Sequence, residues 1–120
     1  MRALFDTNVL IDFLNGIEPA RAELARYEHP AISVISWIEV LVGARPAAEV
    51  VTRGFLSGFE RIELSSGIAD RAVTLRRATR LRIPDAIILA TAREHGLLLV
   101  TRNSKDFPAD EPGIRIPYRI

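Results

Sequence analysis

The sequence contains no cysteine, a single lysine and no long apolar run. The absence of cysteine excludes disulfide bonds, thiolate zinc sites and cysteine nucleophiles. A membrane helix needs roughly 18 consecutive apolar residues, and no stretch of the chain approaches that length. Asp6, Asn8 and Asp12 interrupt the N-terminal stretch in which a signal peptide would lie. We therefore expect a protein without membrane contact, located in the cytoplasm.

The composition that remains is typical of a compact domain. The chain has 120 residues, 48% of them hydrophobic and 26% charged, with a formal net charge of +1. A chain of this size has room for one hydrophobic core, which predicts a single domain over residues 1–120. Fifteen of its 16 basic residues are arginine, whose planar fork suits phosphate and carboxylate groups. A GC-rich genome would produce the same bias.

Short apolar segments alternate with helical ones along the chain. We predict strands at 2–5, 31–35, 62–64 and 97–100, and residues 114–116 are compatible with a last strand at a sheet edge because Pro117 follows them. Predicted helices cover 9–14, 19–27, 37–42, 46–56 and 67–80, and a last one runs from Pro84 to a stop at Gly96. Uniformly apolar strands separated by helices indicate a three-layer α/β/α sandwich around a mainly parallel sheet of about five strands.

Four acids lie where these elements begin or end: Asp6, Glu39, Asp85 and Asp106. Ligands of open parallel sheets bind beyond the carboxyl ends of the strands, so these side chains are candidates for one shared site. Each also has a structural explanation. Asp6 can cap the next helix, Asp85 suits a first helical turn, and Asp106 suits an ordinary turn. Ser36 and Glu39 fit a capping box.

Convergence of the four carboxylates would require a positive partner. Two carboxylates about 4 Å apart repel by roughly 4 kcal/mol at an effective dielectric constant near 20. An all-oxygen ligand set favours Mg²⁺, or Mn²⁺ as a substitute, over zinc. We predict Asp6 and Asp85 as direct metal ligands. Glu39 and Asp106 would complete the metal shell or take part in proton transfer, so all four are predicted catalytic residues.

Three neighbouring residues after the 97–100 strand extend this prediction. Thr101 and Asn103 can fix the geometry of the acids from a second shell, although turn or cap chemistry explains them equally well. Arg102 is a candidate contact for a substrate phosphate.

A second candidate for phosphate binding is a basic face of the 67–80 helix. It consists of Arg76, Arg77 and Arg80, opposite an apolar stripe of the same helix. The alternative is that these side chains are simply solvated.

Four segments carry a recognisable pattern: 4–10 (LFDTNVL), 33–43 (SVISWIEVLVG), 83–92 (IPDAIILATA) and 99–107 (LVTRNSKDF). In this order, over nearly the whole chain, they resemble the motifs of PIN-domain ribonucleases, particularly VapC-type toxins. The resemblance implies a PIN-like nuclease domain with Mg²⁺- or Mn²⁺-dependent endoribonuclease activity on RNA. It also implies a homodimer and a small VapB-type antitoxin whose C-terminal segment covers the site.

Two other functions share some of these features. A phospho-acceptor receiver domain has the same size and an acidic Mg²⁺ pocket, but it has paired acids after its first strand, where Asp6 stands alone. An inactive PIN-fold subunit that binds a partner or regulates DNA would not need all four acids.

Overall fold

A computed structural model describes residues 2–120 of the chain. Its secondary-structure elements, in chain order, are β1 (Ala3–Phe5), α1 (Thr7–Leu14), α2 (Glu18–Leu24), β2 (Ala31–Ser33), α3 (Val34–Gly43), a 3₁₀ turn (Pro46–Ala48), α4 (Glu49–Leu56), β3 (Glu60–Ile62), α5 (Ser66–Ala78), α6 (Ile83–Glu94), β4 (Leu98–Val100) and β5 (Ile114–Arg115). No helix within residues 2–120 has the length and apolar character required to span a bilayer.

The five strands form one sheet in the order β3-β2-β1-β4-β5, and every pairing is parallel. β1 is central, with Phe5 beside Val100 of β4. β5 lies at the edge, in agreement with the short tail strand considered from the sequence. The predicted α/β architecture is confirmed, and the carboxyl ends of β1, β2 and β4 meet at one edge of the sheet because the strands run in parallel.

Two hydrophobic cores lie on opposite faces of the sheet. Neighbouring residues of β1 alternate between them: Leu4 packs in the core beneath α5 and α6, and Phe5 packs in the core with residues of α1 to α4. Both side chains are fully buried. This alternation produces the three layers, since successive side chains of a strand point to opposite faces.

The second strand and third helix have different limits from those predicted. β2 ends at Ser33, and the β-branched pair after it begins α3, because the Ser33 hydroxyl accepts a hydrogen bond from the Ile35 N–H (3.0 Å) and caps the helix. Ser36 therefore lies inside α3, and the capping box proposed for Glu39 is wrong.

Two other element boundaries also differ from the predicted ones. β3 covers Glu60–Ile62, two residues earlier than predicted, because its pairing with β2 places Glu60 beside Ala31. α5 ends at Ala78, where the following Thr79 is extended (φ −134°) and its hydroxyl bonds to the Leu75 carbonyl (2.7 Å). Arg80 thus lies beyond the helix that was predicted to carry it.

Candidate active site

Asp6 is the most buried acid at the carboxyl edge of the sheet. It follows β1 directly, is 4% exposed, and its backbone N–H bonds to the Val100 carbonyl of β4 (2.9 Å). The carboxylate accepts hydrogen bonds from the Thr7 N–H (2.8 Å) and from Thr101 Oγ1 (2.7 Å), with Asn8 Nδ2 at 3.3 Å. Asp6 therefore caps α1, which is the structural role considered for it from the sequence. It also lies at the edge of the sheet where the candidate site is expected.

Glu39 reaches the same edge from α3. Thr7 Oγ1 donates a hydrogen bond to Glu39 Oε1 (2.7 Å) and lies 2.9 Å from Ser36 Oγ, which is fully buried. These contacts connect the start of α1 to α3. Glu39 itself is exposed, so its carboxylate can reorient without movement of the helix.

Asp106 and Asn103 form a small unit in the loop after β4. Asn103 Nδ2 donates to Asp106 Oδ2 (2.9 Å), and Asn103 Oδ1 accepts from the Asp106 N–H (3.2 Å). Thr101, which is fully buried, connects this loop to the centre of the site, because its hydroxyl donates to Asp6 and accepts from the Asn103 N–H (3.1 Å). Thr101 and Asn103 thus each contact one of the predicted site acids.

The acids influence one another electrostatically. Burial raises the pKa of Asp6 from 3.8 to about 6, and the charges of Asp85 and Glu39 add to this effect. The half-buried Asp85, in the first turn of α6, also has a raised pKa because of its burial and the charges of Asp106 and Glu39, which Arg82 partly offsets. The structure therefore brings the four predicted acids into one electrostatic cluster.

The donor chemistry of this cluster fits a divalent cation. As their side chains lie, no three acidic or imidazole groups of residues 2–120 are gathered closely enough to hold one ion. Glu39 and Asp106 are exposed, however, and can rotate towards a cation, and all four acids offer only oxygen ligands of the kind that Mg²⁺ and Mn²⁺ prefer. Neutral donors alone contact the Asp6 carboxylate, and they do not offset the cost of burying its charge.

The arginines are placed differently from the acids. Arg102 donates from Nε and Nη2 to the two carboxylate oxygens of Asp12 (2.6 and 3.1 Å), a geometry that favours an internal role over phosphate contact. Arg76 and Arg77 are exposed on α5 and Arg80 is exposed just after it, so a shared face for phosphate binding stays a prediction.

Two polar residues near the site were not predicted to belong to it. Asn8 lies between Asp6, Thr101 (3.4 Å) and the Arg102 N–H, which donates to Asn8 Oδ1 (3.1 Å). Asp12 lies one turn further along α1. Their spacing of four residues places both on one helix face, and Asn8 also lies in the 4–10 segment that carries the family resemblance.

Comparison with known proteins assigns the class. Residues 3–109 match the family profile described as the PIN domain, and the chain belongs to this family. The resemblance drawn from the four motifs is therefore confirmed, and family membership removes the receiver-domain alternative.

Among individual proteins, the chain is similar to Ribonuclease VapC10 of Mycobacterium tuberculosis, with 34% identity over 98% of this chain and 93% of the relative. It also resembles a chain in the structure of a toxin-antitoxin complex from Klebsiella pneumoniae, with 51% identity, a TM-score of 0.93, and coverage of 98% of this chain and 99% of that one. A chain in the structure of DNA-bound VapBC from Salmonella typhimurium is 26% identical with a TM-score of 0.77, and the match covers 96% of each chain.

Proposed function

We propose that this protein is a metal-dependent endoribonuclease and the toxin of a toxin–antitoxin pair. The observation that carries the enzymatic part is Asp6, a buried carboxylate at the carboxyl edge of a PIN-family sheet, whose raised pKa reflects its burial and the nearby charges of Asp85 and Glu39. Such a site repels RNA unless a cation is bound. The ribonuclease name of the M. tuberculosis relative supports the same conclusion.

The acids would have distinct roles. Asp6 and Asp85 are the proposed direct ligands of Mg²⁺ or Mn²⁺, and Glu39 and Asp106 would complete the shell or accept the proton of the attacking water. A bound ion would lower the pKa of that water and offset charge on the scissile phosphate. A carboxylate has about four lone-pair positions, so Asp6 keeps acceptor capacity beside its Thr7 and Thr101 bonds.

The residues around the acids would serve geometry and substrate binding. Thr101 orients the carboxylate of Asp6, and Asn103 orients that of Asp106. On the outer surface, Arg76, Arg77 and Arg80 are proposed to contact RNA phosphates, and a similar role for Arg102 would have to compete with its Asp12 contact.

A cleavage assay tests the enzymatic proposal. The purified protein should cleave RNA with Mg²⁺ or Mn²⁺, and excess chelator should stop it. Asp6→Asn and Asp85→Asn should each lower the rate by at least about 100-fold, because each removes a charged oxygen ligand. Glu60→Gln, an exposed acid at the opposite end of the sheet, is the matched control and should retain parental activity. Parental cleavage by folded Asp6→Asn and Asp85→Asn proteins would refute the assignment.

The partner proposal is independent of the chemistry. The similar Klebsiella structure is a toxin-antitoxin complex, which supports a small VapB-type antitoxin as partner, and a homodimer is proposed with it. An RNA substrate and such a partner agree with the predicted cytoplasmic location. Light scattering of the purified protein should give the mass of a dimer, and co-expression of a neighbouring small reading frame should suppress toxicity. A monomer whose toxicity no neighbouring gene suppresses would refute this part while leaving the nuclease proposal intact.

A further inference from the structure

Asp12 is a buried acid that the proposed chemistry does not use. It lies on α1, is 5% exposed, and receives hydrogen bonds on both carboxylate oxygens. Arg102 donates from Nε to Oδ2 (2.6 Å) and from Nη2 to Oδ1 (3.1 Å), and Tyr118 of the C-terminal tail donates its hydroxyl to Oδ2 (2.7 Å). Arg102 is 90 positions from Asp12 in the sequence and Tyr118 is 106 positions from it, so these hydrogen bonds connect distant segments of the chain.

The guanidinium held by Asp12 belongs to the residue between two site-orienting side chains. Thr101 precedes Arg102 and bonds to Asp6 Oδ2 (2.7 Å), and Asn103 follows it and bonds to Asp106 Oδ2 (2.9 Å). A displacement of Arg102 would therefore move both of these donors.

α1 holds Arg102 at two points. The Asn8 side chain accepts from the Arg102 backbone N–H (3.1 Å), and Asp12, four residues later on the same helix face, holds its guanidinium. Asp6 directly precedes the same helix and caps it with its carboxylate. The helix that Asp6 caps thus also fixes the segment after β4, whose side chains contact Asp6 and Asp106.

We propose that Asp12, supported by Tyr118, is a positioning residue that sets the geometry of Asp6 and Asp106, two of the proposed metal ligands, through Arg102. The inference rests on the proposed metal-dependent function. Partners that orient metal ligands from outside the first shell change metal affinity or activity by about 10- to 100-fold when they are removed.

A second cluster in the same molecule provides a matched control. Glu23 on α2 is 4% exposed and accepts from Arg115 Nε (2.6 Å) and Nη2 (2.9 Å) and from the Tyr27 hydroxyl (2.9 Å). The arginine and tyrosine contacts match those at Asp12, and the exposed Arg26 is a further, more distant cation beside Glu23 (3.8 Å). Arg115 touches the site segment only through its backbone carbonyl, which accepts from the Thr101 N–H (3.0 Å), and β5 pairing holds that backbone in place.

Calorimetric titration with Mn²⁺ on the full chain, together with thermal unfolding in chelator, tests the proposal. Asp12→Asn and Glu23→Gln should lower the melting temperature by similar amounts, because each weakens one buried acid–arginine pair. At a temperature where all proteins are folded, Asp12→Asn should weaken Mn²⁺ binding by about tenfold, whereas Glu23→Gln should stay within about twofold of the parent.

Two milder variants test the same proposal in case Asp12→Asn or Glu23→Gln does not fold. Tyr118→Phe removes one hydrogen bond from Asp12, and Tyr27→Phe removes the equivalent one from Glu23. Tyr118→Phe alone should weaken Mn²⁺ binding, by a few-fold. Equal Mn²⁺ affinity in the parent and all folded variants would overturn the positioning role and leave the proposed metal site standing. A parent that binds no Mn²⁺ would instead refute the metal site itself, and this inference with it.

Discussion

Two buried acids of this molecule, Asp6 and Glu23, are each 4% exposed, but their carboxylates meet different partners. Glu23 is held by the guanidinium of Arg115 and the hydroxyl of Tyr27, and these contacts outweigh the effect of burial and lower its pKa. Asp6 is held by Thr101 and a backbone N–H, and its pKa rises to about 6, chiefly because of burial. Two side chains of equal solvent exposure therefore have pKa values shifted in opposite directions.

The difference shows where the fold leaves charge uncompensated. Arginines neutralise the buried acids on α1 and α2, whereas within residues 2–120 no salt bridge involves any of the four acids at the carboxyl edge of the sheet. Arginine is abundant in the chain, so these acids lack salt bridges because of where the arginines lie and not because arginine is scarce. An acidic cluster in which no cation contacts a carboxylate is destabilising alone and is the arrangement that a bound metal ion would stabilise.

The largest stability effect should come from breaking the paired region. Arg115→Ala leaves the buried Glu23 carboxylate with the exposed Arg26, whose Nη1 lies 3.8 Å away, as its remaining ion-pair partner, and we expect the free energy of unfolding to fall by about 3 kcal/mol. Arg53→Ala is the control, since it breaks an exposed pair with Glu49 and should cost less than about 1 kcal/mol. Denaturant unfolding measures both. Equal, small losses would mean that the Glu23 pair adds no more than a surface contact.

The opposite pKa shifts predict opposite pH dependences. The folded-state pKa of Asp6 is raised, so the folded protein holds more protons between pH 3.8 and about 6, and stability is lost as pH rises through this window. The shift corresponds to about 3 kcal/mol at most. The folded-state pKa of Glu23 is lowered, so its contribution is present above the ordinary value of 4.5 and is lost as pH falls below it.

Unfolding in chelator at several pH values measures these contributions as differences from matched variants. The parent minus Asp6→Asn difference in unfolding free energy should decrease between pH 4 and pH 6 and then stay level. The parent minus Glu23→Gln difference should instead increase above the folded-state pKa of Glu23 and level off beyond 4.5. Two curves with the same slope would show that burial, and not the partner, decides both charges.

The two regions also differ in how far the sequence predicts them. Apolar runs such as 97–100 and stops such as Gly96 predicted the order of strands and helices, because these signals are local. The four acids could be proposed as one site because each lies in a segment that follows a strand or begins a helix, and parallel strands bring such segments to one edge of the sheet. The start of α3 was missed because strand propensity of Val34 and Ile35 yielded to the Ser33 cap.

The paired region was not predictable in the same way. Asp12 and Tyr118 are separated by 106 positions, and neither position signals that Tyr118 and Arg102 contact the same carboxylate. Arg102 was interpreted as a phosphate contact for this reason. The pairing of one particular arginine with one buried acid depends on how the C-terminal tail packs against α1, which no local pattern specifies.

The smallest effect should come from relieving repulsion in the unpaired region. Asp85 is half-buried with a raised pKa, and its charge also contributes to the raised pKa of Asp6, so Asp85→Asn should raise the metal-free melting temperature by a few degrees at neutral pH. Asn keeps nearly the same shape, so the start of α6 is preserved apart from a small loss of helix-dipole stabilisation. Asp70→Asn, an exposed acid near the start of α5, is the control and should leave the melting temperature unchanged.

Addition of Mg²⁺ turns the same variant into a test of the site. Since the ion is proposed to bind the folded state through Asp85, Mg²⁺ should raise the melting temperature of the parent more than that of Asp85→Asn. Scanning calorimetry with chelator and with Mg²⁺ separates the two contributions. If Asp85→Asn melts lower without metal and Mg²⁺ shifts both proteins equally, Asp85 stabilises the start of α6 and does not belong to a metal cluster.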